Sequence, residues 1–278
     1  MKPILLGALC ALLLPLALHA EEPASEPTAH AARFGAGDGP SREGTTWRLL
    51  DAARTPGQSN AVAFDREHEG AHEDVTLAGK LRVLEGGDGG AFVFLSTAEF
   101  GTHGPAPFVK SWVEPNLAST FAVGIDVHDP PNEEPFGPWG NVLGNPQREV
   151  SLHWDGRELV KRVTNDEFRG DFVDVGIRMR HVIGGAEITV RLGSERVYDA
   201  YFIPHVEPYE SRLAFGAGTR GRLATEFDVK DVAFESGEAA KPRRRPLHVE
   251  VFNHVMTDNK KTASEAEVGL PPLDWAFG

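Results

Sequence analysis

Between residues 75 and 234 the chain alternates apolar and polar side chains in one short run after another. Val75, Leu77, Leu81 and Val83 form one set, and Phe121, Val123, Ile125 and Val127 another. Val150, Leu152 and Trp154 repeat the pattern before Asp155-Gly156. Val173, Val175, Ile177 and Met179 do so before Gly184-Gly185. Ile188, Val190 and Leu192 follow, then Leu213 and Phe215, Phe227 and Val229, and Val232 and Phe234. Successive side chains of a strand point to opposite faces, so a period of two with one apolar face predicts half-buried strands. Turn residues between the runs, drawn from 30 Gly and 20 Pro, predict hairpins. No stretch here has a helical period. The expected fold class is all-β, an antiparallel β-sandwich of one domain over residues 45–236 that starts near Trp47-Arg48-Leu49-Leu50.

The flanks differ in texture. Lys2, the apolar run Ile4 to Leu18 and the small residue Ala20 before Glu21-Glu22 read as a signal peptide over 1–20. The apolar run is shorter than the roughly 20 residues of a spanning helix, which favours cleavage over anchoring. A secreted or periplasmic location follows, with no stable membrane insertion after cleavage. Residues 21–44, rich in Glu, Ala, Pro, Ser and Gly, read as a disordered linker. A second linker is expected at 237–246. Residues 247–278 form a C-terminal extension that opens with a strand pattern at His248 to Val255.

The only cysteine, Cys10, lies inside the leader. The mature chain therefore has no disulfide, thiolate metal site or cysteine nucleophile. With 28 basic and 41 acidic residues the net charge is −13. Such a surface repels phosphate backbones, so no nucleic-acid partner is expected. The basic run Lys241 to Arg245 reads as a solvated linker.

From Ala61 to Phe234 the chain resembles the concanavalin A-like lectin and glucanase superfamily. Three features carry the resemblance: the Gly-rich turn and apolar strand from Gly86 to Phe94, the strand from Phe121 to Val127, and the strand and turn from Val150 to Gly156. The resemblance implies a jelly-roll sandwich with a carbohydrate-handling face. In the family's retaining glucanases a strand like the second carries Glu-x-Asp-x-x-Glu, whose outer carboxylates sit about 5 Å apart as nucleophile and acid/base. Here that frame reads Gly124 to Asp129. Asp126 is kept, but Gly124 has no side chain at the nucleophile position, which argues against a retaining glucanase.

The family's lectins hold calcium with Asp and Asn from this strand and the loop after it. The resemblance implies Asp126, Asp129 and Asn132 as metal ligands. Residues 122, 124, 126 and 128 would face the ligand, with Asp126, Asp129, Asn132, Trp139 and Asn141 meeting a glycan. Trp112, Trp154 and Phe121 read as core. In some exported bacterial proteins a module of this kind joins a peptide:N-glycosidase F-like domain, which the tail at 247–278 could begin. The expectation is a non-catalytic carbohydrate-binding module. The alternatives are the accessory part of a glycan-processing enzyme and a structural or adhesion sandwich.

Other motifs lack context. His68-Glu69-Gly70-Ala71-His72 matches a zinc-protease pattern, but its polar, glycine-centred surroundings predict a loop rather than a helix. Phe215-Gly216-Ala217-Gly218 reads as a turn rather than a dinucleotide site. His103, His153 and His181 read as ordinary isolated residues.

Overall fold

A computed structural model describes residues 27–50, 57–84, 88–127, 149–164, 170–219 and 226–241. These form two seven-stranded sheets packed face to face, with every pairing antiparallel. Strands are numbered in chain order. The front sheet runs β1 (Ala29–Arg33), β4 (Ser59–Phe64), β13 (Ser211–Gly218), β6 (Gly89–Ser96), β7 (Phe121–Asp126), β8 (Glu149–Trp154), β9 (Arg157–Val163). The back sheet runs β12 (Glu195–Pro204), β11 (Gly185–Leu192), β10 (Val173–Val182), β5 (Asp74–Leu84), β14 (Glu226–Ser236), β3 (Thr46–Leu50), β2 (Ser41–Glu43). The one helix among the described residues, α1 (Thr97–Phe100), is a single turn. No described helix is long and apolar enough to cross a membrane.

The alternating residues meet between the sheets. Phe121, Val123 and Ile125 of β7 and Val150 and Leu152 of β8 join Leu77, Leu81, Ile177, Met179 and Val229 of the back sheet in one core. Phe94 and Phe121 stack at 5.6 Å, and Phe94 meets Phe234 at 5.5 Å. A register shift in β14 between Lys230 and Ala233, with Asp231 at φ 51°, explains how Phe227 and Val229 share a face with Val232 and Phe234. An extra residue flips the parity of everything after it. Asp155 and Gly156 both have positive φ, as the tight β8–β9 hairpin requires.

Two sequence expectations change here. The span read as a disordered linker contains β1 and β2, which pair with β4 and β3 and close one edge of each sheet. These strands are short and mostly solvent-facing, so they lack a buried apolar period. The glycines read as a turn, Gly216 and Gly218, lie inside β13. Residues 237–241 fold back on the chain before β5 through a bridge from Ala239 to His72. The tail at 247–278, with its peptide:N-glycosidase expectation, lies outside the described residues.

A second apolar cluster lies on the outer face of the front sheet. Ala61, Ala63, Ala91, Val93, Leu95, Ala122 and Ala214 face outward and are covered by Ala106, Val109 and Trp112 from the connection at 101–120. That connection forms a lid. Strand β6 is thus buried on both faces, which is why Ala91 to Leu95 is apolar without alternation. The lid comes so close that a Cβ at position 216 would lie 2.3 Å from the Trp112 ring. Glycine at 216 is a packing requirement rather than a turn signal.

Arg212 holds the lid down. It is 1% exposed. Its guanidinium donates to the carbonyls of Phe64 (3.1 Å), Phe100 (3.2 Å), Gly101 (3.0 Å), Gly104 (2.7 Å) and Pro105 (3.4 Å). Burial lowers its pKa, while the nearby Asp65 charge raises it. Replacing it with methionine removes the donors shared by these part-buried carbonyls, so Arg212→Met is expected to lose about 3 kcal/mol. Thermal unfolding measures the loss, and limited proteolysis should show new cleavage within 101–117.

Candidate functional site

The outward face of the front sheet is not apolar throughout. Under the far end of the lid and beyond it, β8 and β9 with the end of β7 carry a polar strip. Register places Asp126 opposite Glu149, Gly124 opposite Ser151, and Ala122 opposite His153. Lys161 of β9 lies opposite Ser151. Because Val150 and Leu152 point into the core, Glu149, Ser151 and His153 point out.

At the inner end of the strip His153, 1% exposed, sits in a three-residue relay. Its Nε2 is 2.7 Å from Ser151 Oγ, and its Nδ1 is 2.8 Å from Asn116 Oδ1 on the lid. Burial pushes its pKa down to about 4, so the ring is neutral near pH 7. A neutral ring satisfies both contacts at once. Nδ1–H donates to the amide oxygen and Nε2 accepts from the serine hydroxyl. The Ser-x-His spacing on one strand was readable in the sequence. Asn116, 37 residues upstream, was not, and His153 was read as isolated.

At the outer end Lys161 Nζ donates to Glu149 Oε2 at 2.8 Å. That hydrogen bond raises the lysine pKa against its desolvation, with Asp126 among the charges adding to the effect. Asp126 is half-buried at the end of β7. It is the only one of the five expected ligand residues within the described residues. Asp129, Asn132, Trp139 and Asn141 lie outside them.

The expectation that residues 122, 124, 126 and 128 meet the ligand is corrected for 122 and 124. Ala122 is buried in the lid cluster. A Cβ at 124 would lie 2.3 Å from the Val113 carbonyl oxygen and 2.5 Å from Ser151 Oγ. The glucanase nucleophile position is therefore both empty of a side chain and roofed by backbone. Trp112 and Phe121 are buried, the former on the underside of the lid, the latter between the sheets, while Trp154 packs on the core edge. The His68 to His72 segment is irregular chain, with Gly70 N donating to a Glu210 carboxylate oxygen and His72 Nδ1 2.9 Å from the Gly237 carbonyl. Among the described residues no group of three or more His, Cys, Asp or Glu could hold a metal ion.

No family model matches the chain, and no curated protein matches it. Solved structures do. The chain is similar to the exoplasmic/lumenal domain of VIP36 in a Ca2+/Man3GlcNAc-bound form, at 15% identity over 77% of this chain and 88% of that one, with a TM-score of 0.50. It is also similar to the carbohydrate recognition domain of Emp47p, at 11% identity over 76% and 89%, with a TM-score of 0.50. At these identities the likeness speaks to fold: the sandwich is a concanavalin A-like jelly roll, as the sequence resemblance implied.

Two measurements test this geometry. The unfolded chain protonates His153 near pH 6.5, whereas the folded chain resists until about pH 4. Between those values the unfolded state binds more protons, so stability falls as pH drops through the window, by about 2–3 kcal/mol in total. Denaturant titrations at pH 7 and 4.5 should show His153→Gln losing less stability on acidification than the parent by that amount. An equal loss in both would contradict a buried neutral ring. Separately, Gly124→Ala forces the lid away from β7 and is expected to cost about 1–3 kcal/mol in the same assay.

Proposed function

We propose that this chain is an exported, non-catalytic carbohydrate-binding domain that meets its glycan at the rim of the front sheet beyond the lid. The observation that carries the reading is the lid itself. It fills the outer face over β4, β13, β6 and the inner part of β7, and Asp126 is the first outward position of β7 beyond the residue that Val113 roofs. The solved domains of this fold include a carbohydrate recognition domain and one bound to calcium and mannose-containing sugars, which favours the same ligand class here.

In this reading Asp126 begins a ligand set continued by Asp129 and Asn132, which would hold calcium. The donor set suits the ion only in part. Asp126 supplies a carboxylate at the rim, whereas position 124 supplies none. Calcium would orient the loop oxygens; Trp139 would stack on a sugar ring, and Asn141 would bond its hydroxyls. Gly124 and its backbone roof weigh against glycoside cleavage by a carboxylate pair on β7. The leader at 1–20 is the basis for a secreted or periplasmic location.

A glycan array on residues 21–278, with and without calcium, tests the proposal. The expected result is calcium-dependent binding that Asp126→Ala lowers at least about tenfold while leaving the melting temperature near that of the parent. Absence of binding under both conditions would sink the reading and favour a scaffold role.

A further inference from the structure

A second opening lies far from the polar strip, on the inner side of the sandwich. Where β4 and β13 face β14 and the β2–β3 hairpin, the two sheets part and leave a cleft of ≈ 310 Å³. Its apolar wall is Trp47, Phe64, Phe234 and Leu213. Two of the rings are held from behind. Phe64 rests against Phe215 at 5.7 Å and Phe234 against Phe94 at 5.5 Å, so neither swings away without opening the core.

The rim is acidic. Asp65, Glu67, Asp231 and Glu235 all line it. Two of these are engaged: Asp65 by His30 Nε2 at 2.7 Å and Gly104 N at 3.2 Å, Asp231 by the Thr45 hydroxyl at 2.6 Å. Glu67 and Glu235 are exposed. Aromatic faces carry negative potential and, with carboxylates beside them, form a site for an organic cation. The cleft already demonstrates this preference on its own chain. The Arg42 guanidinium, a cation from the rim, lies 5.4 Å over the Trp47 ring.

We infer that this cleft binds a small organic ammonium ion, with its apolar groups against Trp47, Phe64 and Phe234 and its charge toward Glu67 and Glu235. Arg42 acts as an internal competitor for the Trp47 face. The inference is independent of the glycan reading, because the cleft shares no residue with the strip on β7 to β9.

Choline and its uncharged isostere 3,3-dimethylbutan-1-ol, titrated by calorimetry into the full mature chain, test it. Choline is expected to bind roughly tenfold more tightly than the isostere. Joint Glu67→Gln and Glu235→Gln substitution should weaken choline several-fold and leave the isostere unchanged. Arg42→Gln should strengthen choline binding, a gain that misfolding cannot produce. Equal affinity for the two probes would reduce the cleft to an apolar gap and overturn the inference. So would no choline binding at millimolar concentration, or binding of methyl α-mannoside there in its place.

Discussion

The lid depends on one buried cation. Among the described residues Arg212 forms no direct ion pair; it is satisfied by backbone carbonyls from the end of β4, α1 and the first residues of the lid. A guanidinium offers five N–H donors in a planar fork, enough to tie several loop carbonyls to one point on a strand. Such an arrangement compensates the desolvation of the charge only while every carbonyl stays in place. The lid's path is therefore set at its root, and the residues downstream inherit that path.

Their composition follows. A backbone segment laid directly on a sheet leaves room for only small side chains where it comes closest, and larger ones such as Val93 and Leu95 fit only where it stands off. Ala61, Ala63, Ala91, Ala122 and Ala214, with Gly216 under Trp112 and Gly124 under Val113, meet that limit. The absence of a side chain at 124 and the small outward residues of the front sheet are two results of one packing constraint. The lid covers the outer face over β4, β13 and β6. Polar side chains gather at its far end, where Ser151 and His153 lie buried beneath it and Glu149 and Lys161 stand beyond it.

The same sandwich is thus closed on one side and open on another. The relay from Ser151 through His153 to Asn116 ties the lid's far end to β8 by hydrogen bonds on both ring nitrogens, and burial keeps that imidazole neutral near pH 7. Across the molecule the gap beside β3 and β14 remains aromatic and acid-rimmed. An excess of acidic residues gives the surface a field that favours cations generally. The cleft adds to it a low-dielectric wall that a solvated surface lacks.

Period-two alternation was sufficient to place the central strands and the sandwich, because burial of one face imposes that pattern locally. Of the strands it did not reveal, β1, β2, β9 and β12 lie at the sheet edges, where solvent removes the periodicity, and β4 is buried on both faces, where nothing imposes it. Gly124 was legible as a lost side chain, and Asp126 as a retained one. The reason for the glycine was not, since Val113 reaches it from another segment. Gly216 looked like a turn for the same reason. The Asn116 partner of His153, the five carbonyls around Arg212 and the meeting of Trp47 with Phe64 and Phe234 all join residues distant along the chain. The sequence by itself determined which residues are buried within each strand, because that is a local property of the pleat. Only the tertiary structure decided which face of the front sheet is covered and where the sandwich stays open, because those depend on contacts between segments that no local pattern records.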